Sequence, residues 1–184
     1  MFKLIILAAL IGIIAILIYA ASRPNKFRIE RSTLMAAPPE AIFAQLNDFH
    51  AWEAWSPWEK IDPAVKRTYS GADAGVGAKY RWDGNKQLGS GSMTIIESTP
   101  HRFLKLDIDF RAPFAAHNTI EFILDANGDS TAGSTKVTHA MYGPSPFISK
   151  LFGLVFNMEK MVGEKFEEGF VTIKSIVETP KAPL

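Results

Sequence analysis

An alternation of apolar and charged side chains marks the middle of the chain, in the stretch Phe103-Leu104-Lys105-Leu106-Asp107-Ile108-Asp109-Phe110. In an extended backbone, the apolar side chains from Leu104 to Phe110 share one face and the charged ones share the other, because successive side chains of a strand point to opposite faces. One face then packs against a core while the other meets water, which is typical of an antiparallel sheet. The stretch therefore predicts a strand of such a sheet.

Similar extended stretches occur on both sides of this strand. They are separated by Gly, Asn and Asp residues, which favour turns, as in Ala126-Asn127-Gly128-Asp129. The pattern predicts an antiparallel sheet built from consecutive hairpins. The predicted strands are Phe27 to Ala36, Val65 to Tyr69, Ala78 to Trp82, Gly89 to Glu97, Phe103 to Phe110, His117 to Asp125 and Thr135 to Tyr142.

Two other segments show the spacing of helices. A helix is predicted to open at Ala37-Pro38-Pro39-Glu40 and to run to about Asp48, since prolines and an acidic residue, Glu40, are typical of a first helical turn. From Pro146 to Val177, apolar residues recur every three or four positions, which predicts one long C-terminal helix with a single apolar stripe. Such a stripe needs a sheet face as its partner, so the expected fold class is α+β.

The N-terminal segment differs from the rest of the chain. Leu4 to Ala21 carries no charge and is rich in Leu and Ile, so it is long enough to cross a hydrocarbon core of about 30 Å. A cleaved signal peptide is the alternative, but the bulky Tyr19 stands where a cleavage site needs a small residue. We expect an uncleaved single-pass membrane anchor over residues 1–23, followed by one globular domain over residues 24–184.

The charges that flank the anchor favour a cytoplasmic domain. Arg23, Lys26, Arg28 and Arg31 follow the apolar segment, whereas Lys3 and the amino terminus precede it. Positive charge accumulates on the cytoplasmic side of membrane proteins. An exported domain remains the alternative, because the last two arginines belong to the first predicted strand.

Composition narrows the classes of partner and chemistry. The 184 residues include 20 Lys and Arg against 19 Asp and Glu, without a basic run along any predicted element, so we expect no nucleic-acid partner. The absence of cysteine excludes disulfides, thiolate nucleophiles and cysteine-ligated metals. The 13 Phe and 4 Trp supply ample material for a core or an apolar cavity.

Several short motifs follow one another in a recognisable order. They are Ile29-Glu30-Arg31-Ser32, Ala37-Pro38-Pro39-Glu40-Ala41-Ile42-Phe43, Trp52-Glu53-Ala54-Trp55-Ser56-Pro57-Trp58, Tyr69-Ser70-Gly71, Gly77-Ala78-Lys79-Tyr80-Arg81-Trp82, Gly89-Ser90-Gly91, Thr135-Lys136-Val137-Thr138-His139 and Gly163-Glu164-Lys165-Phe166-Glu167-Glu168-Gly169. With the order of elements, they resemble the SRPBCC superfamily, which includes START, Bet v 1-like and polyketide cyclase/dehydratase proteins. The likeness covers nearly everything after the anchor and is greatest to membrane-tethered bacterial members.

The resemblance implies a helix-grip fold, in which a bent antiparallel sheet surrounds the long C-terminal helix. It also implies a cavity for a hydrophobic small molecule or lipid between sheet and helix. Strand and helix periodicity then place the candidate ligand-binding residues on inward faces, although side chains that merely fill a core have the same composition. These candidates are Tyr80, Trp82, Met93, Phe110, His139, Met141, Met158 and Phe166.

The histidines do not indicate a metal site or a catalytic pair. None of the four shows short metal-ligand spacing, so we expect neither a metal nor a cofactor. If the turn from Asp125 to Ser134 closes symmetrically, His139 lies opposite Ile120 and points inward, whereas His117 points outward. His139 is then either a polar group in the cavity or a histidine satisfied within the core.

The remaining polar clusters do not establish an enzyme, and we assign no catalytic residue. Asp48, His50 and Glu53 follow the first helix of the domain, where an acid-base cluster and a solvated loop are the two interpretations. The glycine-rich segments lie between predicted strands rather than between a strand and a helix, so they indicate hairpin turns rather than phosphate-binding loops.

Three functions remain open. The first is a membrane-anchored binder or carrier of a hydrophobic small molecule or lipid. The second is an enzyme of the cyclase or dehydratase type, which would need a polar group inside the cavity, and His139 is the inward ionisable residue. The third is a protein-interaction module that would expose an apolar patch formed by Trp52, Trp55 and Trp58.

Overall fold

The computed structural model describes residues 1–126 and 133–178. The predicted turn at residues 127–129 and the C-terminal residues 179–184 lie outside this part of the chain. The helices are α1 (Phe2–Ser22), α2 (Pro39–Leu46), α3 (Trp52–Trp55), α4 (Phe147–Val155) and α5 (Met158–Val177). The strands are β1 (Lys26–Met35), β2 (Lys66–Gly71), β3 (Ala78–Asp83), β4 (Ser90–Thr99), β5 (Phe103–Ala112), β6 (Ala116–Asp125) and β7 (Thr135–Pro144).

The strands form one antiparallel sheet in the order β1-β7-β6-β5-β4-β3-β2. Strands β2 to β7 follow one another as hairpins, as the alternation predicted, and β1 joins the edge beside β7. In β5, Leu104, Leu106 and Ile108 are buried on the inner face. The pairing of β4 with β5 shifts between Ile95 and Glu97, and an irregularity of this kind bends a strand.

The hairpin of β6 and β7 closes differently from the symmetrical expectation. Asp125 pairs with Lys136, so His139 lies opposite Phe122, and Ile120 lies opposite Met141. The predicted pairing of His139 with Ile120 is therefore wrong, because the loop is two residues longer than symmetrical closure assumes. A shift of two residues preserves the face of every side chain, so His139 still points inward.

Helices α2, α3 and α5 cover the inner face of the sheet. Their apolar side chains, such as Leu46, Phe166 and Phe170, join one core cluster with inward side chains of the strands. Helix α5 approaches β1 closely at Gly163, where an added Cβ would collide with the guanidinium of Arg31. The predicted α+β helix-grip architecture, a bent sheet around a C-terminal helix, is confirmed.

The C-terminal helical region consists of two helices rather than one. Phe156 adopts an extended conformation after α4, and the side chain of Asn157 caps α5 by accepting a hydrogen bond from the backbone N–H of Lys160 at 3.0 Å. The prediction of a continuous helix from Pro146 to Val177 is wrong, because Asn157 is a favourable N-cap residue that starts a new helix. The apolar residues of α4 therefore do not continue the stripe of α5.

The three tryptophans after α2 fold inward instead of forming a surface patch. Trp52 and Trp55 are buried, and Trp58 is partly buried against the core. The indole N–H groups of Trp52 and Trp55 donate to the carbonyl oxygens of Leu46 and Gln45, at 3.0 and 2.9 Å. Those carbonyls lie in the last turn of α2, where no intrahelical donor is available. The hypothesis that these tryptophans expose an interaction patch is wrong.

Helix α1 is long and apolar enough, by length and composition, to cross a membrane. Its side chains are exposed except for Ala20 in the last turn, which is fully buried. Helix α1 contacts α4, the helix that follows the last strand of the sheet. The chain then reaches β1 within four residues of the end of α1.

Candidate ligand-binding site between the sheet and the C-terminal helix

A histidine lies between two phenylalanine rings in the centre of the domain. The imidazole of His139 on β7 stacks on Phe166 of α5, with ring centroids 3.6 Å apart, and on Phe122 of β6 at 4.1 Å. Only 4% of the surface of His139 is exposed. Register explains one contact, because β6 and β7 place Phe122 directly opposite His139.

Burial keeps this histidine uncharged. The apolar surroundings lower the pKa of His139 from 6.5 to about 3, since a charged imidazolium loses its hydration there. Its Nε2 atom is buried and makes no hydrogen bond to any group in residues 1–126 and 133–178. An unpaired buried polar atom typically costs about 1–3 kcal/mol.

A small space adjoins His139. The gaps between the atoms around it add up to about 190 Å³, part of which is open to solvent. These gaps are narrow, so no water-sized sphere fits among them. The closed packing means that a ligand must displace side chains to occupy this region. The residues around this space are Trp55, Trp58, Phe122, His139, Lys165, Phe166, Gly169, Phe170 and Ile173.

A second aromatic group lies on β3 and its neighbours. Tyr80 stacks on Trp82 with ring centroids 6.0 Å apart, and Phe110 meets Trp82 edge to face at 5.9 Å. The indole of Trp82 lies over Gly91 of β4, where an added Cβ would be 2.5 Å from the ring. The Nε1 atom of Trp82 is also buried, and it has no hydrogen-bond partner among the described residues.

The hydroxyl of Tyr80 is tied to a charged pair at the edge of this group. It donates to a carboxylate oxygen of Glu59 at 2.6 Å, and the guanidinium of Arg67 donates to the other oxygen at 2.7 Å. Burial and this carboxylate raise the pKa of Tyr80 above its usual range. The hydroxyl of Tyr80 is therefore neutral, and its proton is already donated to Glu59.

Rings between the two groups make them parts of one core. Phe49 contacts Tyr80 at 5.8 Å and Trp52 at 5.3 Å, and Trp52 contacts Phe122 at 6.1 Å. Phe122 in turn stacks on His139. Movement of one ring toward a bound ligand would therefore disturb its neighbours along this chain of contacts.

The structure separates the predicted site residues into inward and outward sets. Tyr80, Trp82, Met93, His139, Met141 and Phe166 are buried on inner faces, and Phe110 is partly buried against them. Met158 is 50% exposed at the start of α5, so its predicted inward position is wrong. The break before α5 explains this, because Met158 occupies the first turn of a new helix.

Sequence reasoning missed several residues that surround His139. Phe122 lies on the inward face of a predicted strand, and the register of β6 with β7 would have identified it. Trp55 belongs to the hypothesis of an exposed tryptophan patch, whereas the structure buries it beside His139. Phe170 and Ile173 belong to the helical stripe of α5 and border the same space.

The other histidines lie at the surface. The Nδ1–H of His117 donates a hydrogen bond to a carboxylate oxygen of Asp109 at 2.8 Å, and that carboxylate raises the pKa of the imidazole. His50 pairs with Asp48 at 2.8 Å, but Glu53 instead accepts a hydrogen bond from Tyr69. Asp48 and His50 thus form one pair, whereas Glu53 bonds to Tyr69, on whose ring His50 stacks. Within the described ranges, no three His, Asp or Glu side chains are placed to hold a metal ion.

A family model described as polyketide cyclase / dehydrase and lipid transport matches residues 26–178. The chain belongs to this family. The match begins at β1 and ends directly after α5, so it covers the sheet, the helices on its inner face and the space beside His139. The expected SRPBCC-type relationship is thereby confirmed.

Solved structures of low sequence identity share the fold of this family member. A protein from Mesorhizobium loti has a TM-score of 0.59 at 14% identity and covers 85% of this chain and 100% of its own. Ara h 8.0201 has a TM-score of 0.54 at 14% identity, covering 83% and 98%. A subunit of the Aha1 dimer from Colwellia psychrerythraea has a TM-score of 0.54 at 15% identity, covering 85% and 99%. No curated protein matches the sequence.

Proposed function

We propose that this protein is a membrane-anchored binding or carrier domain for a hydrophobic small molecule or lipid. The observation that carries the proposal is His139, a neutral imidazole with an unpaired Nε2 atom in an apolar, aromatic-lined region. A mostly apolar ligand with one hydroxyl or carbonyl group would satisfy this atom and fill the space around it. The description of the family, which includes lipid transport, supports the same ligand class.

The small volume sets a condition for binding. Pockets for drug-sized ligands measure about 300–1,000 Å³, whereas the space beside His139 admits no water-sized sphere, so it must expand before a ligand can bind. Trp58 and Lys165 border this space and are only partly buried, so they can move toward solvent at the smallest packing cost. We place the mouth of the site at these two residues.

Helix α1 supplies the anchor in this proposal. A hydrophobic ligand partitions into membranes, and a tethered domain would meet it there at high local concentration. The basic residues after α1, including Arg23 and Lys26, favour the cytoplasmic side for the domain. We propose residues 1–23 as the anchor and residues 24–184 as the binding domain.

A cyclase or dehydratase activity has weaker support. Such an enzyme would use His139 for proton transfer, and a general base works best with a pKa near the operating pH. The pKa of His139 lies near 3, and its ring neighbours are Phe122 and Phe166 rather than a carboxylate. These features favour a neutral hydrogen-bonding group over an acid-base catalyst.

Two measurements test the proposed binding function. Full-length protein purified in mild detergent is examined by native mass spectrometry and solvent extraction, and we expect a copurifying hydrophobic compound. Binding of 2-naphthol and naphthalene is then compared, because the two probes differ by one hydroxyl group. His139→Phe should weaken 2-naphthol binding roughly three- to tenfold, the value of one neutral hydrogen bond, and leave naphthalene binding unchanged.

His50→Phe provides the matched control, since His50 is an exposed histidine stacked on Tyr69 outside the proposed site. It should leave the binding of both probes unchanged. Wild-type protein that carries no hydrophobic compound and binds neither probe would contradict the proposed function.

A further inference from the structure

Helix α4 exposes its apolar side chains and buries its charged one, which is the opposite of a helix that faces water. Its one charged residue, Lys150, is 7% exposed, whereas Phe147, Ile148, Phe152 and Val155 are 43, 58, 44 and 79% exposed. Ser149 is the exposed polar residue of this nine-residue helix. A helix at an aqueous surface normally buries its apolar stripe and exposes its charges. The outer face of α4 is therefore suited to an apolar environment.

The exposed apolar surface extends beyond α4. Phe114, in the turn between β5 and β6, packs its ring 5.4 Å from that of Phe152, and Phe152 lies 6.5 Å from Phe156. We call this surface the α4 patch, defined as Phe114, Phe147, Ile148, Phe152, Val155 and Phe156. Contiguous exposed apolar surface of this kind marks a site of protein or membrane contact.

The buried lysine ties α4 to the end of the proposed anchor. The ammonium group of Lys150 donates a hydrogen bond to the side-chain oxygen of Asn25 at 2.6 Å, and the backbone N–H of Ser145 donates to the carbonyl of Asn25 at 2.7 Å. Asn25 lies three residues after Ser22, the last residue of α1, and three extended residues span at most about 11 Å. The α4 patch therefore lies close to the point where α1 ends.

Residues at the end of α1 are typical of a membrane-water interface. The guanidinium of Arg23 lies over the ring of Tyr19, 5.9 Å from its centroid. Tyrosine favours the headgroup region, and arginine extends its charge toward the phosphates. In the proposed anchoring, this pair would lie where the chain leaves the bilayer. Helix α4 contacts α1, and Ala20, which follows Tyr19, is fully buried.

We propose that the α4 patch inserts into the headgroup region of the leaflet from which α1 emerges. The proposal rests on the membrane anchoring proposed above, because α1 is what brings α4 to the lipid. Lipid is favoured over a protein partner because the patch adjoins a helix whose own side chains are exposed and apolar along its length. The domain then holds one fixed side toward the bilayer instead of moving freely on its tether.

This orientation brings the proposed mouth of the site near the membrane. Lys165 lies seven residues after Met158, the first residue of α5, which corresponds to about 10 Å along a helix. Phe156 of the α4 patch lies only two residues before Met158. A hydrophobic ligand that leaves the bilayer would have a short path to Lys165 and Trp58.

The cysteine-free chain allows a direct test with single nitroxide labels. Full-length protein is labelled at Ile148→Cys or Val155→Cys and reconstituted in vesicles of phosphatidylcholine and phosphatidylglycerol. Label depth is measured by the competing effects of oxygen and a water-soluble nickel complex on electron paramagnetic resonance saturation. Val171→Cys and Val76→Cys are the matched controls, since both valines are exposed, at 68 and 58%, outside the α4 patch. Ile11→Cys reports on α1 itself.

We expect labels at positions 148 and 155 to lie in the headgroup or upper acyl region, labels at 76 and 171 to lie in water, and the label at 11 to lie in the bilayer core. Labels at 148 and 155 that are accessible to nickel, while position 11 is in the core, would overturn the docking proposal and leave the anchor intact. A water-exposed label at 11 would overturn the anchor and with it the docking. Spin-spin broadening at 155 would show that a second copy covers the patch, which also overturns the proposal.

Discussion

Protonation of His139 should control how the stability of the domain depends on pH. The pKa of His139 is about 3 in the folded protein against 6.5 for an ordinary histidine. Between these values the unfolded chain binds a proton that the folded chain does not, so stability falls as the pH falls below 6.5. The loss of folding stability caused by protonation of the unfolded chain is almost zero at pH 7.5 and reaches roughly 2 kcal/mol at pH 5.

His139→Phe should remove this contribution. Phenylalanine keeps an aromatic ring between Phe122 and Phe166 and removes the unpaired nitrogen, so the variant should be about as stable as wild type at pH 7.5. From pH 7.5 to pH 5, the variant should gain roughly 2 kcal/mol relative to wild type. With a urea m-value of about 2 kcal/mol/M, the difference between the midpoints should change by about 1 M.

Urea unfolding of full-length protein in mild detergent, followed by tryptophan fluorescence, measures this difference. His117→Gln is the control, because Asp109 raises the pKa of His117 and its stabilising effect is lost as the pH rises. That variant should show a small change of opposite sign. A constant difference between wild type and His139→Phe across the pH range would refute the assignment of His139 as a buried neutral group.

Three further predictions follow from packing and from the anchor. Urea unfolding should show that Trp82→Phe lowers the free energy of unfolding little, because it removes the unpaired Nε1 atom and retains ring contacts. Trp82→Ala should lower it by about 3–5 kcal/mol. Equal losses for the two variants would contradict the packing described for Trp82. Gly91→Ala should destabilise strongly, since its Cβ would meet the Trp82 ring and a backbone carbonyl. Gly163→Ala should cost less, because its Cβ meets the end of the Arg31 side chain, whose ion pairs with Glu159 and Glu167 must then shift. The mature protein should retain residues 1–22, and N-terminal sequencing that begins at Ser22 or Arg23 would exclude the anchor.

The sheet could be predicted from the sequence because its signal is local. The alternation in Leu104, Leu106 and Ile108 indicates which face of the strand is buried. Each hairpin then places the next strand beside the preceding one. The inward positions of Trp82 and His139 follow from the same alternation. Errors of two residues, as at the β6-β7 turn, leave these faces unchanged.

The features that depend on three-dimensional packing could not be predicted in the same way. The break at Phe156 and Asn157 interrupts an apolar pattern that looks continuous, and it moves Met158 to the surface. The sandwich of His139 combines residues from β6, β7 and α5, whose relative positions no local pattern contains. Whether such rings enclose a cavity or fill a core is decided by gaps of a few ångströms, which periodicity does not report.

The position of β1 affects how the protein is made. Strand β1 leaves the ribosome directly after α1, yet its partner in the sheet is β7, and Met35 pairs with Thr135, one hundred residues later. At synthesis rates of about 5–20 residues per second, Thr135 is synthesised roughly 5–20 s after Met35, so β1 has no partner strand during this time. During this interval α1 can already occupy the bilayer while the apolar side chains of β1 remain uncovered beside it. In the proposed anchoring, the order of synthesis would make insertion of α1 an early event, whereas closure of the sheet is a late one.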